Sequence, residues 1–274
     1  MIEIEYIKFS KTRDTVQAFA RLVSLIKAKL ISHQKNWEEF SLTISPTGFT
    51  TGIMPIETPD GIKAFQININ LIDSKLCLYV ENNKDEVNLH QSNIASFTGE
   101  VLELLKGYGI NSLKPEEFFY REEKLFYDDI EAEKLYELFK RYYFVLSDFK
   151  NNSILETSNV NLWPHHFDIS LLVFSGKLID GADKLSWENS REQMNFGFSL
   201  GDAVLGEPYF YITAYPFNKR LFDYKLPQYA LWQKESWNGL VITYSELVKM
   251  SDFKNNLTNL MSGLMGYNFT EINN

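Results

Sequence analysis

Apolar side chains recur every three or four positions between residues 12 and 30, a spacing that predicts an amphipathic helix with Thr12 as its N-cap. From about residue 40 to residue 80 the pattern changes, and apolar and polar positions alternate. Because strands place successive side chains on opposite faces, this alternation predicts antiparallel strands with one buried face. A second helix is expected to begin at a Ser92 cap and to end at Gly107.

The second half of the chain repeats this order of elements. A helix is expected near residues 131–149, and a last helix is expected behind a cap at Ser251 or Asp252. Between them, alternation predicts strands at about 167–174, 194–200, 208–215 and 239–244. The fold class that follows is α+β, with two helix–sheet–helix halves whose sheets are mainly antiparallel. The repeated order also suggests a pseudo-duplication.

Residues 111–131 join the two halves and differ from both in composition. They hold seven acidic residues against three basic ones, so we interpret the segment as a surface connector. Its aromatic side chains are expected to dock on a neighbouring element: Phe118, Phe119, Tyr120 and Phe126. The predicted boundary lies here, between an N-terminal half of residues 1–115 and a C-terminal half of residues 116–274.

Composition and charge exclude several classes of protein. The chain has 27 basic and 36 acidic residues, and a net charge of −9 argues against a nucleic-acid partner, which requires a surplus of Lys and Arg on some face. The single cysteine, Cys77, can form neither an internal disulfide nor a cysteine zinc site, which favours a reducing compartment. No stretch is apolar enough for a signal peptide or a membrane span, so we expect a soluble cytoplasmic protein with no membrane partner.

On three predicted strands of the second half, alternation leaves polar and aromatic side chains on the face opposite the core. These residues are His166, Asp168, Ser170, Asn195, Gly197, Ser199, Tyr209, Tyr211, Thr213 and Tyr215. None is Lys, Arg or Glu, the residues that a solvated sheet face normally carries. Hydroxyls, a carboxylate and tyrosines around a glycine, which lets a ligand approach the backbone, are typical of a small-molecule pocket.

The candidate site residues have two predicted roles. His166 and Asp168 are the candidate catalytic pair, as a base and the group that orients it. The residues expected to bind the ligand are Trp163, His165, Ser199, Asp202, Glu207, Tyr209 and Tyr211. The structural alternative is that Asp168 binds a backbone amide and His166 packs under Trp163.

Two other kinds of site fit the sequence less well. Gly197–Gly201 matches the Gly-x-Ser-x-Gly pattern of a nucleophile elbow, but Ser199 lies inside a predicted strand and no histidine follows it. A metal site is the other alternative, because imidazole and carboxylate ligands suit zinc, iron or manganese. Its candidate ligands are His165, His166, Asp168, Asp202 and Glu207. Their spacing matches no regular ligand motif, so a metal and any other cofactor stay open.

Three segments together resemble a bacterial protein family of unknown function. They are Trp163–Asp168 (WPHHFD), Gly197–Asp202 (GFSLGD) and Glu207–Tyr211 (EPYFY). Thr12–Thr15 and Gly48–Thr51 resemble the N-terminal half of the same family, so the likeness covers most of the chain. The resemblance implies that the three segments belong to one shared site, but it brings no known activity, substrate or catalytic residue.

The sequence therefore predicts a small-molecule pocket in the C-terminal half, used by an enzyme with His/Asp acid–base or metal chemistry. The alternative is a non-catalytic binding or protein-interaction module, which the lack of any complete catalytic or cofactor motif favours. Whether the chain is an enzyme, which ligand it takes and its oligomeric state stay open.

Overall fold

The computed structural model describes residues 2–111, 113–183, 186–202 and 204–270. The fold is α+β, as predicted, with two mainly antiparallel sheets. The chain forms two compact units, each with most of its contacts inside itself. The N-terminal unit comprises residues 2–140 and 161–167, and the C-terminal unit comprises residues 141–160 and 168 onward. No helix in the described ranges has the length and apolarity needed to cross a bilayer.

The N-terminal unit begins with a long helix, α1 (Tyr6–Leu30). The strands that follow are β1 (Thr43–Ser45), β2 (Gly48–Thr50), β3 (Met54–Thr58), β4 (Gly61–Asn70), β5 (Lys75–Val80) and β6 (Asn83–Asn88). Next come α2 (Ile94–Gly107), the part of α3 (Asp129–Asn152) up to residue 140, and the short strand β7 (Asn161–Trp163). Two 3-10 segments, Lys35–Phe40 and Glu117–Tyr120, complete the unit.

The N-terminal sheet has the strand order β1-β2-β4-β5-β6, with β3 also paired to β4. Alternate residues of β4 are buried from Phe65 onward, as the period of two predicts, whereas in β5 Cys77 on the opposite face is buried too. Helix α1 meets α2 through Phe19 and Phe97, whose ring centroids are 4.1 Å apart. Strand β6 was not predicted, because its sequence, Asn-Lys-Asp-Glu-Val-Asn, is mostly charged or polar. Charged side chains on an edge strand discourage pairing with other chains, which accounts for that composition.

Both predicted helix caps of the first half were wrong. Helix α1 begins at Tyr6, after Glu5, and Thr12 lies buried inside it. The reason is Phe9, which lies two turns before Val16 and extends the buried stripe towards the N-terminus. The cap of α2 is Asn93, whose side-chain oxygen accepts a hydrogen bond from the Ser96 backbone N–H at 2.8 Å.

The C-terminal unit contains the rest of α3 and five further strands. These are β8 (Asp168–Leu178), β9 (Arg191–Ser199), β10 (Tyr209–Tyr215), β11 (Leu231–Gln233) and β12 (Gly239–Thr243), followed by α4 (Tyr244–Leu247) and α5 (Phe253–Phe269). The strand order is β11-β12-β10-β9-β8. Helices α3 and α5 pack on the predicted core face, where the Tyr142 ring stacks on Phe198 with centroids 3.6 Å apart and meets Phe253 at 5.4 Å.

Two predictions about the organisation of the chain stay predictions. The boundary between residues 115 and 116 concerns independent folding, which expression of the two fragments would check. The pseudo-duplication concerns ancestry, and a shared order of elements in the two halves does not establish it.

Candidate functional site

The three strands that carry the predicted site residues are neighbours in the C-terminal unit. Strand β9 lies between β8 and β10, and its Ser199 is paired with Asp168 on one side and with Tyr209 on the other. Two residues earlier, Gly197 is paired with Tyr211. The side chains that alternation assigned to one sheet face therefore lie in adjacent rows.

Asp168 and Tyr211 form a hydrogen-bonded pair on this face. Asp168 is only 7 % exposed, and its carboxylate accepts a hydrogen bond from the Tyr211 hydroxyl. Burial, together with the charge of Asp168, raises the pKa of Tyr211 well above its ordinary value, so the hydroxyl keeps its proton at neutral pH. The pair ties β8 to β10 across β9.

Asp202 and Glu207 hold local structure. The Asp202 carboxylate accepts backbone N–H groups two and three residues later, at 2.7 and 2.8 Å, and the Tyr209 hydroxyl at 2.6 Å. The Glu207 carboxylate accepts the backbone N–H of Ser245 at 2.8 Å, at the start of α4. No cluster of three or more His, Cys, Asp or Glu side chains suited to a metal ion occurs among the residues that the structure describes.

Gly197 makes room for a side chain of the protein itself. A Cβ atom at this position would overlap the Tyr211 ring, which lies across the glycine from the neighbouring strand. Trp237 covers Gly239 in the same way, and its ring lies 6.3 Å from that of Tyr211. The sequence suggested that Gly197 lets a ligand approach the backbone, but in the structure Tyr211 makes that approach.

His166 does not lie on the strand face of Asp168. Residues 164–167 form a turn, closed by a hydrogen bond from the Phe167 backbone N–H to the Trp163 carbonyl at 2.7 Å, and β8 begins only at Asp168. Strand alternation therefore did not apply to His166, because the chain turns there. The exposed His166 belongs to the N-terminal unit, and its catalytic role stays a prediction.

The turn is anchored within the N-terminal unit. Phe167 has a left-handed φ of 55°, which its buried ring compensates by packing 5.3 Å from the ring of Phe139. The side-chain amide of Gln17 on α1 donates to the carbonyl oxygens of Pro164 and His165 at 3.1 and 3.2 Å. These contacts fix the position from which His165 projects.

This turn forms one wall of a cavity of about 400 Å³ in the N-terminal unit. The lining residues are Arg21, Ser24 and Leu25 of α1, Trp37 and Phe40 of the first 3-10 segment, Glu116 and Phe119, and Trp163, Pro164 and His165. Most of them are aromatic or aliphatic. Small-molecule pockets usually have volumes of about 300–1,000 Å³ and apolar walls with a few polar groups, which describes this cavity.

The backbone of the first 3-10 segment is strained where it presents Trp37. Asn36 and Trp37 both have φ of 57°, a left-handed conformation that bulky residues rarely adopt. The Trp37 side chain is nevertheless 53 % exposed, and Phe40 beside it is 38 % exposed. The strain is thus not compensated by burial of the indole in the core.

Hydrogen bonds from α1 and from a buried carboxylate hold this segment in place. The Lys27 ammonium donates to the carbonyl oxygens of Glu38 and Ser41 at 2.8 and 2.7 Å. Glu39, only 4 % exposed, accepts His33 Nδ1 at 2.7 Å and the Gln34 backbone N–H at 3.0 Å. Lys27 therefore ties the C-terminal end of the segment to α1, and Glu39 holds the segment to the residues just before it.

Stability should depend on pH through Glu39. Burial alone would raise the pKa of Glu39, but the hydrogen bonds from His33 and Gln34 lower it below its ordinary value of 4.5. A carboxylate with a lowered pKa contributes stability above its unfolded pKa and loses it as the pH falls through the folded pKa. Glu39→Gln should therefore lower the free energy of unfolding by about 1 kcal/mol at pH 7, with the difference vanishing in acid.

Urea unfolding of both proteins between pH 3 and pH 7 measures this difference. The exposed Glu57→Gln is the matched control and should change stability little at any pH. If Glu39→Gln lowers the free energy of unfolding equally at every pH, the charge of Glu39 is not what stabilises the protein.

Arg21 and His165 set the polarity of the cavity. The Arg21 guanidinium stacks on the Phe118 ring at 4.5 Å. Burial, aided by the neighbouring His166 and Arg21, lowers the pKa of His165 to about 4, so its imidazole is neutral at pH 7. Glu116 is exposed to solvent. The cavity therefore combines aromatic walls with one half-buried cation, a neutral imidazole and a solvated carboxylate.

A family model described as a family of unknown function (DUF5996) matches residues 1–264. The chain belongs to the DUF5996 family. This confirms the membership in a family of unknown function that the three sequence segments predicted. The search of curated proteins and the search of solved structures each found no match.

In this DUF5996 chain, sequence reasoning identified two residues of the cavity wall, Trp163 and His165. It missed Arg21 and Trp37, because the cavity is built from segments far apart in the sequence. One feature of the sequence did point to the cavity, namely the aromatic residues of the connector, which were expected to dock on another element. Phe119 does so and is 2 % exposed.

The other aromatic residues of the connector behave differently. Phe118 stacks between Arg21 and Arg121, at 4.5 and 5.3 Å. Phe126 is half exposed but lies against α1, where its backbone N–H and carbonyl are hydrogen-bonded to the Thr15 hydroxyl at 3.1 and 3.0 Å. Tyr120 is 56 % exposed, so the expectation that all four dock was wrong for this residue.

Proposed function

We propose that this DUF5996 protein binds a small planar molecule in the cavity of its N-terminal unit. The volume of about 400 Å³ suits a ligand of two or three fused rings, and the aromatic walls suit stacking on its faces. The proposal keeps Trp163 and His165 as ligand-binding residues. It moves the pocket away from the sheet face where the sequence placed it.

The observation that carries the proposal is that Trp37 has a strained, left-handed backbone while its side chain is half exposed. Backbone strain of this kind costs about 1–3 kcal/mol per residue and persists mainly where function requires it. An indole that gains little burial in return is best explained by contact with a ligand. Trp37 and Trp163 then supply flat surfaces on the cavity wall.

Ligand-dependent melting across a panel of planar bicyclic molecules, such as 2-naphthamide and quinoline, tests the proposal. A ligand at about one hundred times its Kd adds about 2.7 kcal/mol to the free energy of unfolding, which raises the melting temperature by several degrees. No shift for any member of the panel at millimolar concentration would contradict the proposal.

Acid–base chemistry at Asp168 is the second candidate function, favoured by the hydrogen-bonded Asp168–Tyr211 pair. It predicts that Asp168→Asn abolishes a ligand response that Trp37 substitutions leave intact. Metal analysis of the purified protein tests the metal alternative. The cytoplasmic location, bacterial origin and lack of a nucleic-acid partner stay predictions from the sequence.

A further inference from the structure

Arg21 is a half-buried cation in an apolar cavity. Its guanidinium contacts the rings of Phe118 and Phe119, at 4.5 and 6.0 Å, and within the described ranges no carboxylate pairs with it. Arg13, two turns earlier on the same helix, is paired with Asp14 at 2.8 Å. Buried charged side chains are usually paired with an opposite charge. The chain has a net charge of −9 and so offers many carboxylates, yet Arg21 is paired with none that the structure describes.

Among the described residues, the Arg21 guanidinium contacts aromatic rings and has no hydrogen-bond acceptor. A guanidinium that packs its face on an aromatic ring still presents N–H donors in its own plane, in the fork that matches a carboxylate. Arg21 also lines the cavity, whose other walls are largely apolar. A charge-assisted hydrogen bond is stronger in such surroundings than in water.

We infer that the ligand of this cavity is an anion, a planar aromatic carboxylate whose carboxylate binds Arg21 and whose rings lie against Trp37 and Trp163. The inference rests on the proposed function and deepens it by naming the chemical class of the ligand. His165 is neutral at pH 7 and can donate one further hydrogen bond to the anion.

Glu116 does not oppose this binding strongly. Its side chain lines the cavity but is exposed, so water and salt screen its charge, whereas Arg21 is half-buried. The arrangement therefore favours a single negative charge placed at Arg21.

The test compares 2-naphthoate with its neutral isostere 2-naphthamide by calorimetric titration at pH 7. The two probes have nearly the same shape, so a difference in Kd reports the charge. We expect naphthoate to bind at least about tenfold more tightly than naphthamide, because its contact with Arg21 is charge-assisted. Arg21→Gln should remove this preference, and Arg21→Lys should keep part of it.

Arg121→Gln is the matched control, because Arg121 stacks on the same Phe118 ring at 5.3 Å but does not line the cavity. It should leave both affinities within about twofold. Equal binding of the two probes, or a preference that survives Arg21→Gln, would overturn the inference and leave the proposed function standing. Failure of both probes to bind at millimolar concentration would contradict the proposed function and the inference with it.

Discussion

Trp37→Gly is expected to weaken the binding of 2-naphthamide by at least about tenfold without lowering the free energy of unfolding. The loss of affinity follows from removing one aromatic wall of the cavity. Stability should not fall, because glycine adopts the φ of 57° without strain and the indole is 53 % exposed. Titration calorimetry and urea unfolding measure the two effects separately.

Asn36→Gly is the matched control for this substitution. Asn36 has the same φ and precedes Trp37, so glycine fits the backbone there equally well while the indole stays in place. Its affinity for 2-naphthamide should remain within about twofold of the parent protein. If Trp37→Gly binds as well as the parent, or unfolds much more easily, the conformation of Trp37 serves the fold and not a ligand.

Gly197→Ala should lower the free energy of unfolding by about 2–5 kcal/mol, the largest stability effect that we expect from a single methyl group. The added Cβ overlaps the Tyr211 ring, which cannot move away without breaking its hydrogen bond to the buried Asp168. Overpacking and the loss of the hydrogen bond to Asp168 both lower the free energy of unfolding. Urea unfolding of the two proteins gives the difference directly.

Gly206→Ala controls for the change from glycine to alanine, since a Cβ there meets no atom within 4 Å. It should alter stability by less than about 0.5 kcal/mol. Tyr211→Ser combined with Gly197→Ala should cost less than the sum of the two single substitutions, because the clash is absent in the double variant. Strict additivity would show that Tyr211 is not what confines Gly197.

The fold followed from the sequence wherever burial has a clear period. The amphipathic stripe around Phe19 and the alternation along β4 and β9 correctly placed helices, strands and core faces. The misses have local causes. Strand β6 is charged because it is an edge, and the cap of α1 was misplaced because Phe9 extends the helix by nearly two turns.

The site was harder to predict, because a cavity depends on contacts between distant segments. Alternation correctly made Asp168, Ser199 and Tyr209 neighbours, but it could not show that Tyr211 covers Gly197. No residue near Trp37 in the sequence predicts its left-handed backbone, a conformation that non-glycine residues seldom adopt.

We claim that the cavity of the N-terminal unit is the ligand site, and NMR of the five tryptophan indole N–H groups tests this. Protein labelled with 15N-tryptophan is titrated with 2-naphthamide, and each signal is assigned by single substitution. We expect the Trp37 and Trp163 signals to shift and saturate together, while those of Trp187, Trp232 and Trp237 stay unchanged. Saturable shifts confined to Trp232 and Trp237, with Trp37 and Trp163 unmoved, would contradict the claim and return the site to the C-terminal sheet.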